Sequence, residues 1–216
     1  DFGILRNLIK KIDQSSDLKL QLLASGTHLV ADQGMTVNEI RSEGFKVHQC
    51  VDIELMDDSS SGICRSMGIA MEKYGRYLGE ADPDILVLLG DRFETFCCAA
   101  AAQVCRIPVA HIHGGETTQG AVDEAFRHSI TKMAHLHFPC SDIYRNRIIQ
   151  MGEHPDNIHN VGALGVENIR KLRLMNKDEL ETSIGFKLDR PFLLITFHPV
   201  TLENSTHEAQ MTELFM

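Results

Sequence analysis

The stretch ILVLLGDRFETFCCAAAAQVCRIPVAHIHGG, residues 85–115, decides the fold class. ILVLLG (85–90) is apolar without alternation, as a strand covered on both faces of a parallel sheet should be. Residues 94–104 follow with an apolar helical pattern, and PVAHIH (108–113) reads as the next strand. Outward from this strand–helix–strand unit the alternation continues. LKLQLLAS (18–25), KVHQCV (46–51), LHFPC (136–140) and IHNV (158–161) read as strands, and residues 4–12, 37–43, 64–78, 122–134 and 143–151 as helices. Such alternation predicts an α/β fold with a doubly wound parallel sheet. After Gly162 the pattern loosens: residues 166–172 and 177–184 look helical, and Pro191 precedes an apolar run, FLLITF (192–197), expected to be a strand that opens a second domain.

The chain has 216 residues, 43% of them hydrophobic, and a formal net charge of −9. An acidic balance argues against a nucleic-acid surface, which needs clustered Lys and Arg to neutralise phosphates. No apolar run approaches the ~20 residues that span a bilayer, and no signal peptide is visible. Cysteines stand at 50, 64, 97, 98, 105 and 140 with no C-x-x-C pair, a pattern expected of reduced thiols in a cytoplasmic protein. The first residue is Asp1 rather than Met, so a preceding segment is expected.

In a doubly wound sheet, ligands bind beyond the carboxyl ends of the strands. ILVLLG runs into Asp91, Arg92 and Glu94; PVAHIH runs into Gly114, Gly115 and Glu116. The two glycines are expected to let backbone approach a ligand and offer N–H groups to an anion. Strand alternation would put His111 and His113 on one face. On the helix that follows, Asp123 and Arg127 are four apart, which predicts either an exposed ion pair or a pair at the edge of the crevice. Val122, Phe126 and Ile130 form the apolar stripe, with Glu124 and His128 opposite. A zinc site from His111, His113, a carboxylate and His128 is a rival reading, on a weak motif, and His111 equally reads as a satisfied core histidine. No G-x-G-x-x-G is present for a dinucleotide, and no nucleophile elbow for a serine hydrolase.

With those residues in view, the chain closely resembles the hydrolysing UDP-N-acetylglucosamine 2-epimerases of sialic-acid and related nonulosonate biosynthesis. The matching stretches are DFG (1–3), SGTHL (25–29), GDRFE (90–94), HIHGGETTQGAVDEAFRHSITK (111–132), VGALGVENI (161–169) and TFHP (196–199). The resemblance implies two Rossmann-like domains facing across a cleft, as in GT-B glycosyltransferases. Residues 1–185 would be the N-terminal domain without its first strand, and residues 186–216 the beginning of a UDP-binding C-terminal domain. The missing strand would lie between the strands at 18–25 and 85–90.

The implied reaction removes the C2 proton of the sugar as UDP leaves C1, then adds water at C1 and returns a proton to C2, releasing N-acetylmannosamine and UDP. It needs no redox cofactor and no metal. The match gives Asp91, Glu116, Asp123 and His198 as catalytic candidates, and Ser25, His28, Arg92, His113, Arg127 and His128 as substrate-binding candidates. Many members carry Glu where His113 stands, so His113 or Glu116 takes over that proton transfer, or the substrate differs. A UDP-diacetylbacillosamine-type sugar and a non-catalytic UDP-sugar-binding half are the alternatives. The expected partners are the UDP-sugar and further copies of the chain in a dimer or tetramer, with neither nucleic acid nor membrane.

Overall fold

Val109–Ile112 forms a strand buried along its whole length, and the rest of its sheet is built outward from it. A computed structural model describes the chain over residues 1–198 and 207–216. In chain order its elements are α1 (Phe2–Asp13), β1 (Leu22–Ser25), α2 (Val37–Ser42), β2 (Val47–Val51), α3 (Ser60–Ala81), β3 (Leu86–Leu89), α4 (Phe93–Cys105) and β4 (Val109–Ile112). They continue with α5 (Asp123–Met133), β5 (Leu136–Phe138), α6 (Asp142–Gln150), α7 (Leu164–Lys171), α8 (Lys177–Ile184) and α9 (His207–Leu214). All strand pairing is parallel, in a two-stranded sheet β1-β2 and a three-stranded sheet β3-β4-β5. This is the α/β, Rossmann-like class that the alternation implied. The IHNV segment contributes only a single bridge, Ile158 to His137.

The helices follow their sequence signals. Ser59 caps α3 by accepting from the Gly62 amide at 3.1 Å, which starts the helix ahead of its apolar pattern. Ser66, Ala70, Tyr74 and Leu78 form its buried stripe at four-residue spacing. That stripe faces α4, whose Cys97, Cys98, Ala101 and Ala102 are small because α4 is pressed between α3 and α5. Asn176 and Glu179 close a reciprocal capping box on α8, and Gly185 ends it in the left-handed conformation. A smaller core under the other sheet joins Phe2, Ile9 and Ile40, with the Phe2 and Phe45 rings edge to face.

Residues 192–197 do not form the expected strand. They carry no regular structure, with Leu193 88% and Leu194 90% exposed. A strand needs an edge to pair with, and no ladder reaches this segment among the described residues. The TFHP motif ends at Pro199, outside the described residues. The helix α9 had no counterpart in the sequence pattern.

His111 is a satisfied core histidine, one of the readings its position allowed. Its side chain is fully buried, Nε2 donates to the Gly90 carbonyl at 2.7 Å, and Nδ1 faces the Thr131 hydroxyl at 3.2 Å. Burial drives its pKa down to about 4 against the pull of the Gly90 carbonyl, so the ring is neutral. Gly114 is explained here too. A Cβ on it would stand 2.8 Å from His111 Nδ1 and 2.9 Å from Thr131 Oγ1. A Cβ on Gly115, at φ +74°, would meet Ile148 at 2.7 Å. Close protein packing by itself requires both glycines.

β1 and β3 do not pair with each other. Between them lies a cavity of about 530 Å³, lined by Leu22, Leu23 and Ala24 on one side and Val87, Leu88 and Leu89 on the other. Two parallel strand edges facing across an apolar slot leave N–H and C=O groups unmade, at ~1–3 kcal/mol for each one that stays dry. The total margin of a domain is only ~5–15 kcal/mol. Residues 1–216 alone are therefore expected to melt without cooperativity or to self-associate, and a fused apolar strand ahead of Asp1 to restore a sharp transition. Circular dichroism melts with sedimentation velocity decide this, and a cooperative monomeric melt of residues 1–216 refutes it. With the slot filled, His111 predicts a pH effect. The unfolded ring titrates near 6.5 and the folded ring near 4, so the unfolded state alone takes up a proton in that window. Stability should fall as pH drops from 6.5 to 4, by about 3 kcal/mol from this group. Urea unfolding should show a shallower pH slope in His111→Gln; equal slopes would refute the assignment.

Candidate active site

The polar groups gather where β3, β4 and β5 end, the carboxyl edge of the parallel sheet. β3 passes through Gly90, at φ +84°, into Asp91, and α4 starts directly after. β4 stops at Ile112, and His113 adopts φ +63°. That left-handed turn, followed by another at Gly115, folds the chain back so that His113 Nδ1 meets Glu116 Oε1 at 2.5 Å. Strand alternation therefore does not reach His113. Among the described residues His111 and His128 join no ligand cluster with His113, so the His-x-His zinc reading does not hold geometrically.

Arg127 does not pair with Asp123 as the spacing on α5 suggested. Its guanidinium is 9% exposed and pairs instead with the Asp91 carboxylate, 21% exposed, from the end of β3. Arg127 Nη2 also donates to Thr118 Oγ1 at 3.1 Å. A long side chain on a buried face reaches across elements, where it gains a partner of low exposure. Asp123, on the first turn of α5, is half-buried and makes no hydrogen bond or ion pair among the described residues. Val122, assigned to the apolar stripe, is 48% exposed, while Ile130 is fully buried.

Glu124 and His128, opposite the apolar stripe, are both half-buried. Glu124 Oε2 accepts from the Thr118 amide at 2.6 Å, and its Oε1 stands 3.5 Å from His128 Nε2. Glu124 thereby ties Thr118 of the preceding loop to α5.

Glu116 is the most constrained carboxylate. Besides His113 it accepts from the Cys140 thiol at 3.1 Å. Burial raises its pKa, but the hydrogen bonds from His113 and Cys140 and the nearby Arg127 charge outweigh burial, so the net shift is downward. The same contact, added to burial, pushes the Cys140 thiol up to about 11. Sequence reasoning missed Cys140, counting it with the buried thiols. Its position directly after β5 was the available signal, because residues there lie at the ligand edge of a parallel sheet.

A second group of predicted residues lines the upper end of the slot between β1 and β3. Ser25 Oγ donates to the Val51 carbonyl at 2.6 Å and accepts from Tyr74 Oη at 2.7 Å. Tyr74 was invisible in sequence, since its ring sits on the apolar stripe of α3 and only its hydroxyl reaches out. His28 Nδ1 lies 2.6 Å from Thr36 Oγ1, and burial lowers the His28 pKa. Arg92 Nε donates to Glu94 Oε1 at 2.7 Å. A Cβ on Gly26, at φ +61°, would come within 2.9 Å of that same Oε1. His198 is exposed and forms no hydrogen bond or ion pair among the described residues, so the structure does not bring it to the cluster.

Among the described residues, Glu94 Oε2, His113 Nε2, Arg127 Nε and His128 Nδ1 are buried polar atoms without a hydrogen-bond partner. Folded proteins rarely leave such atoms unmet. Their grouping on this edge suits a ligand that supplies both donors and acceptors, such as a sugar bearing an anionic group.

Residues 10–216 match the family described as UDP-N-acetylglucosamine 2-epimerase. A Campylobacter jejuni protein named GDP/UDP-N,N'-diacetylbacillosamine 2-epimerase (hydrolyzing) is 38% identical over 214 residues, covering 99% of this chain and 56% of that protein. The Escherichia coli polysialic acid biosynthesis protein P7 is also 38% identical over 214 residues, 99% of this chain and 54% of its own length. The crystal structure of UDP-GlcNAc 2-epimerase from Neisseria meningitidis bound to UDP-GlcNAc superposes with a TM-score of 0.70, at 19% identity, over 87% of this chain and 52% of that one. At that identity the likeness shows the fold. This chain spans a little over half the length of these curated relatives. With the match running from residue 10 to residue 216, the chain belongs to the UDP-N-acetylglucosamine 2-epimerase family.

Proposed function

We propose that this chain is the N-terminal, acid–base half of a hydrolysing UDP-sugar 2-epimerase, converting UDP-N-acetylglucosamine and water to N-acetylmannosamine and UDP. What supports this reading is that two carboxylates at this edge, Asp91 and Glu116, are both drawn to the charge of Arg127. Asp91 pairs with the guanidinium, Glu116 feels its charge, and Asp123 lies one turn earlier on α5. Carboxylates at this edge of a parallel sheet are placed to remove and return a proton on a bound sugar.

In this reading one carboxylate takes the C2 proton while the C1–O bond to UDP breaks, leaving a C1–C2 double bond. Water then adds its oxygen to C1, and a second group delivers a proton to the opposite face of C2. Arg127 Nε and His128 Nδ1, both unpartnered, serve the diphosphate or the sugar oxygens. Ser25, His28 and Arg92 shape the upper crevice. His198 joins only when the second domain, beginning near residue 186, is complete and closes on residues 1–185. The setting is the cytoplasm, which suits six free cysteines, and the product would feed sialic-acid or related nonulosonate biosynthesis. The active form is a homo-oligomer.

A second substrate is favoured by a specific observation. Relatives from Campylobacter jejuni and Legionella pneumophila, 38% and 36% identical, are named for N,N'-diacetylbacillosamine. The same chemistry at C2 would serve that sugar. A binding half without activity is the remaining reading, and UDP release by the two-domain protein, compared with this chain alone, separates it from an enzyme.

In the two-domain protein, Asp91→Asn, Glu116→Gln and Asp123→Asn should each lower kcat by at least ~10²-fold, the usual worth of a positioned acid or base. Near-normal turnover in all three, with UDP-sugar still bound, removes the acid–base assignment. His113→Gln tests whether that ring moves protons or only shapes the pocket; wild-type turnover assigns it to shape. Isotopes test the route itself. Turnover in D₂O should place deuterium at C2, and turnover in H₂¹⁸O should label the sugar oxygen at C1 while UDP stays unlabelled. Label in the UDP phosphate would replace elimination by attack at phosphorus.

A further inference from the structure

His113, Glu116 and Cys140 bring together an imidazole nitrogen, a carboxylate oxygen and a thiol sulfur, all within 4.8 Å of one another. The set draws on two segments. The left-handed turn at His113 closes the first two ligands, and the end of β5 supplies the third. Nitrogen, oxygen and sulfur together suit a borderline-soft cation, and three protein ligands leave the fourth tetrahedral position open. In a tetrahedral zinc site, ligand atoms stand about 3.4–3.6 Å apart, from metal–ligand bonds of about 2.0–2.3 Å. His113 Nδ1 and Glu116 Oε1 are now 2.5 Å apart, and Cys140 Sγ and Glu116 Oε1 3.1 Å apart. Opening the first pair by about an ångström and the second by less makes room for the ion. The ion would take the place of the two hydrogen bonds that converge on Glu116.

The surroundings allow entry and neutralise charge. The His113 and Glu116 side chains are 19% and 22% exposed, and Cys140 is partly exposed. A carboxylate and a thiolate match a divalent charge. Arg127, the nearby cation that would oppose binding, is engaged by Asp91.

We propose that His113, Glu116 and Cys140 form a binding site for a thiophilic divalent cation of the zinc class, and that the ion, once bound, blocks the pocket. The binding part stands on geometry alone. The blocking part rests on the epimerase reading, because an ion on Glu116 removes that carboxylate from proton transfer. The site is therefore inhibitory and supplies nothing to the reaction.

Cobalt(II) titration of the two-domain protein tests binding without any turnover. A thiolate-to-cobalt absorption band should grow to one equivalent and bleach when Zn²⁺ is added. Cys140→Ser should abolish the band, whereas Cys64→Ser, at an exposed cysteine, should keep it. His113→Asn should weaken Zn²⁺ affinity by 10-fold or more, on the order expected when a metal site loses a supporting group. It also serves as the independent variant if Cys140→Ser does not fold. Absence of the band, or a band that survives Cys140→Ser, overturns the site. Zn²⁺ should also inhibit UDP release reversibly, with EDTA restoring the rate and His113→Asn needing about 10-fold more zinc. Tight binding without inhibition would keep the metal site and overturn the blocking role, and with it the placement of the sugar against Glu116.

Discussion

The Arg127–Asp91 pair ties the end of β3 to α5, and the geometry of the whole carboxyl edge depends on it. Removing one member of a buried pair strands the other charge, at ~3–5 kcal/mol, which is more than the pair itself contributes over apolar replacements. Its role is therefore better described as positional. With Asp91 fixed on Arg127, α5 is held in one rotational setting against β4. The backbone carbonyl of Arg127 accepts from Thr131 Oγ1, which also faces His111. From the core histidine to the rim carboxylate runs one chain of polar contacts. Gly114 allows it to form, since any side chain there would collide with His111 and Thr131.

The sequence was legible where structure is local and opaque where it is not. β4 could be read because burial along its whole length leaves an uninterrupted apolar run, and β3 by the same run although Val87 stays 39% exposed. Asp123–Arg127 misled because spacing sees only neighbours on the same helix, while a buried Arg selects the carboxylate that shares its exclusion from water. His113 misled because alternation assumes a strand continues, and a non-glycine residue at φ +63° leaves no mark in sequence. The family resemblance placed Asp91, Glu116 and Arg127 in one site. It did not single out Tyr74 or Cys140, whose polar tips emerge from apolar settings. FLLITF failed as a strand for a third reason: an apolar run specifies a strand only when an edge awaits it.

The slot between β1 and β3 and the site share a boundary. Ser25, His28, Arg92 and Glu94 line the top of the same cavity whose walls are the two strand edges. Asp1 lines the same cavity beside Arg92. A strand running up the slot parallel to its neighbours would end here and turn directly into α1, the ordinary step of a parallel α/β sheet. Backbone filling the slot would then also border the rim around Arg92, since both line one cavity.

Within the epimerase reading, the hydrogen bonds at Glu116 limit how the chemistry can run. Donors from His113 and Cys140 hold its carboxylate ionised at rest, and the same donors weaken it as a base. The C2 hydrogen of a sugar is a weak acid, so a weakened base cannot remove it unaided. The demand falls once the C1–O bond lengthens, since positive charge growing at C1 acidifies the neighbouring C–H. Groups that stabilise departing UDP therefore carry more of the barrier than the base does, and Arg127 and His128, with unpartnered nitrogens, are the ones available on this half. His113 fits the same logic. When Nδ1 donates to Glu116, a neutral ring presents Nε2 as an acceptor, and that buried atom has no protein partner. An acceptor at that point selects for a hydroxyl or amide N–H on the sugar. In this arrangement Glu116 gains orientation at the expense of basicity, and departure of the leaving group makes up the difference.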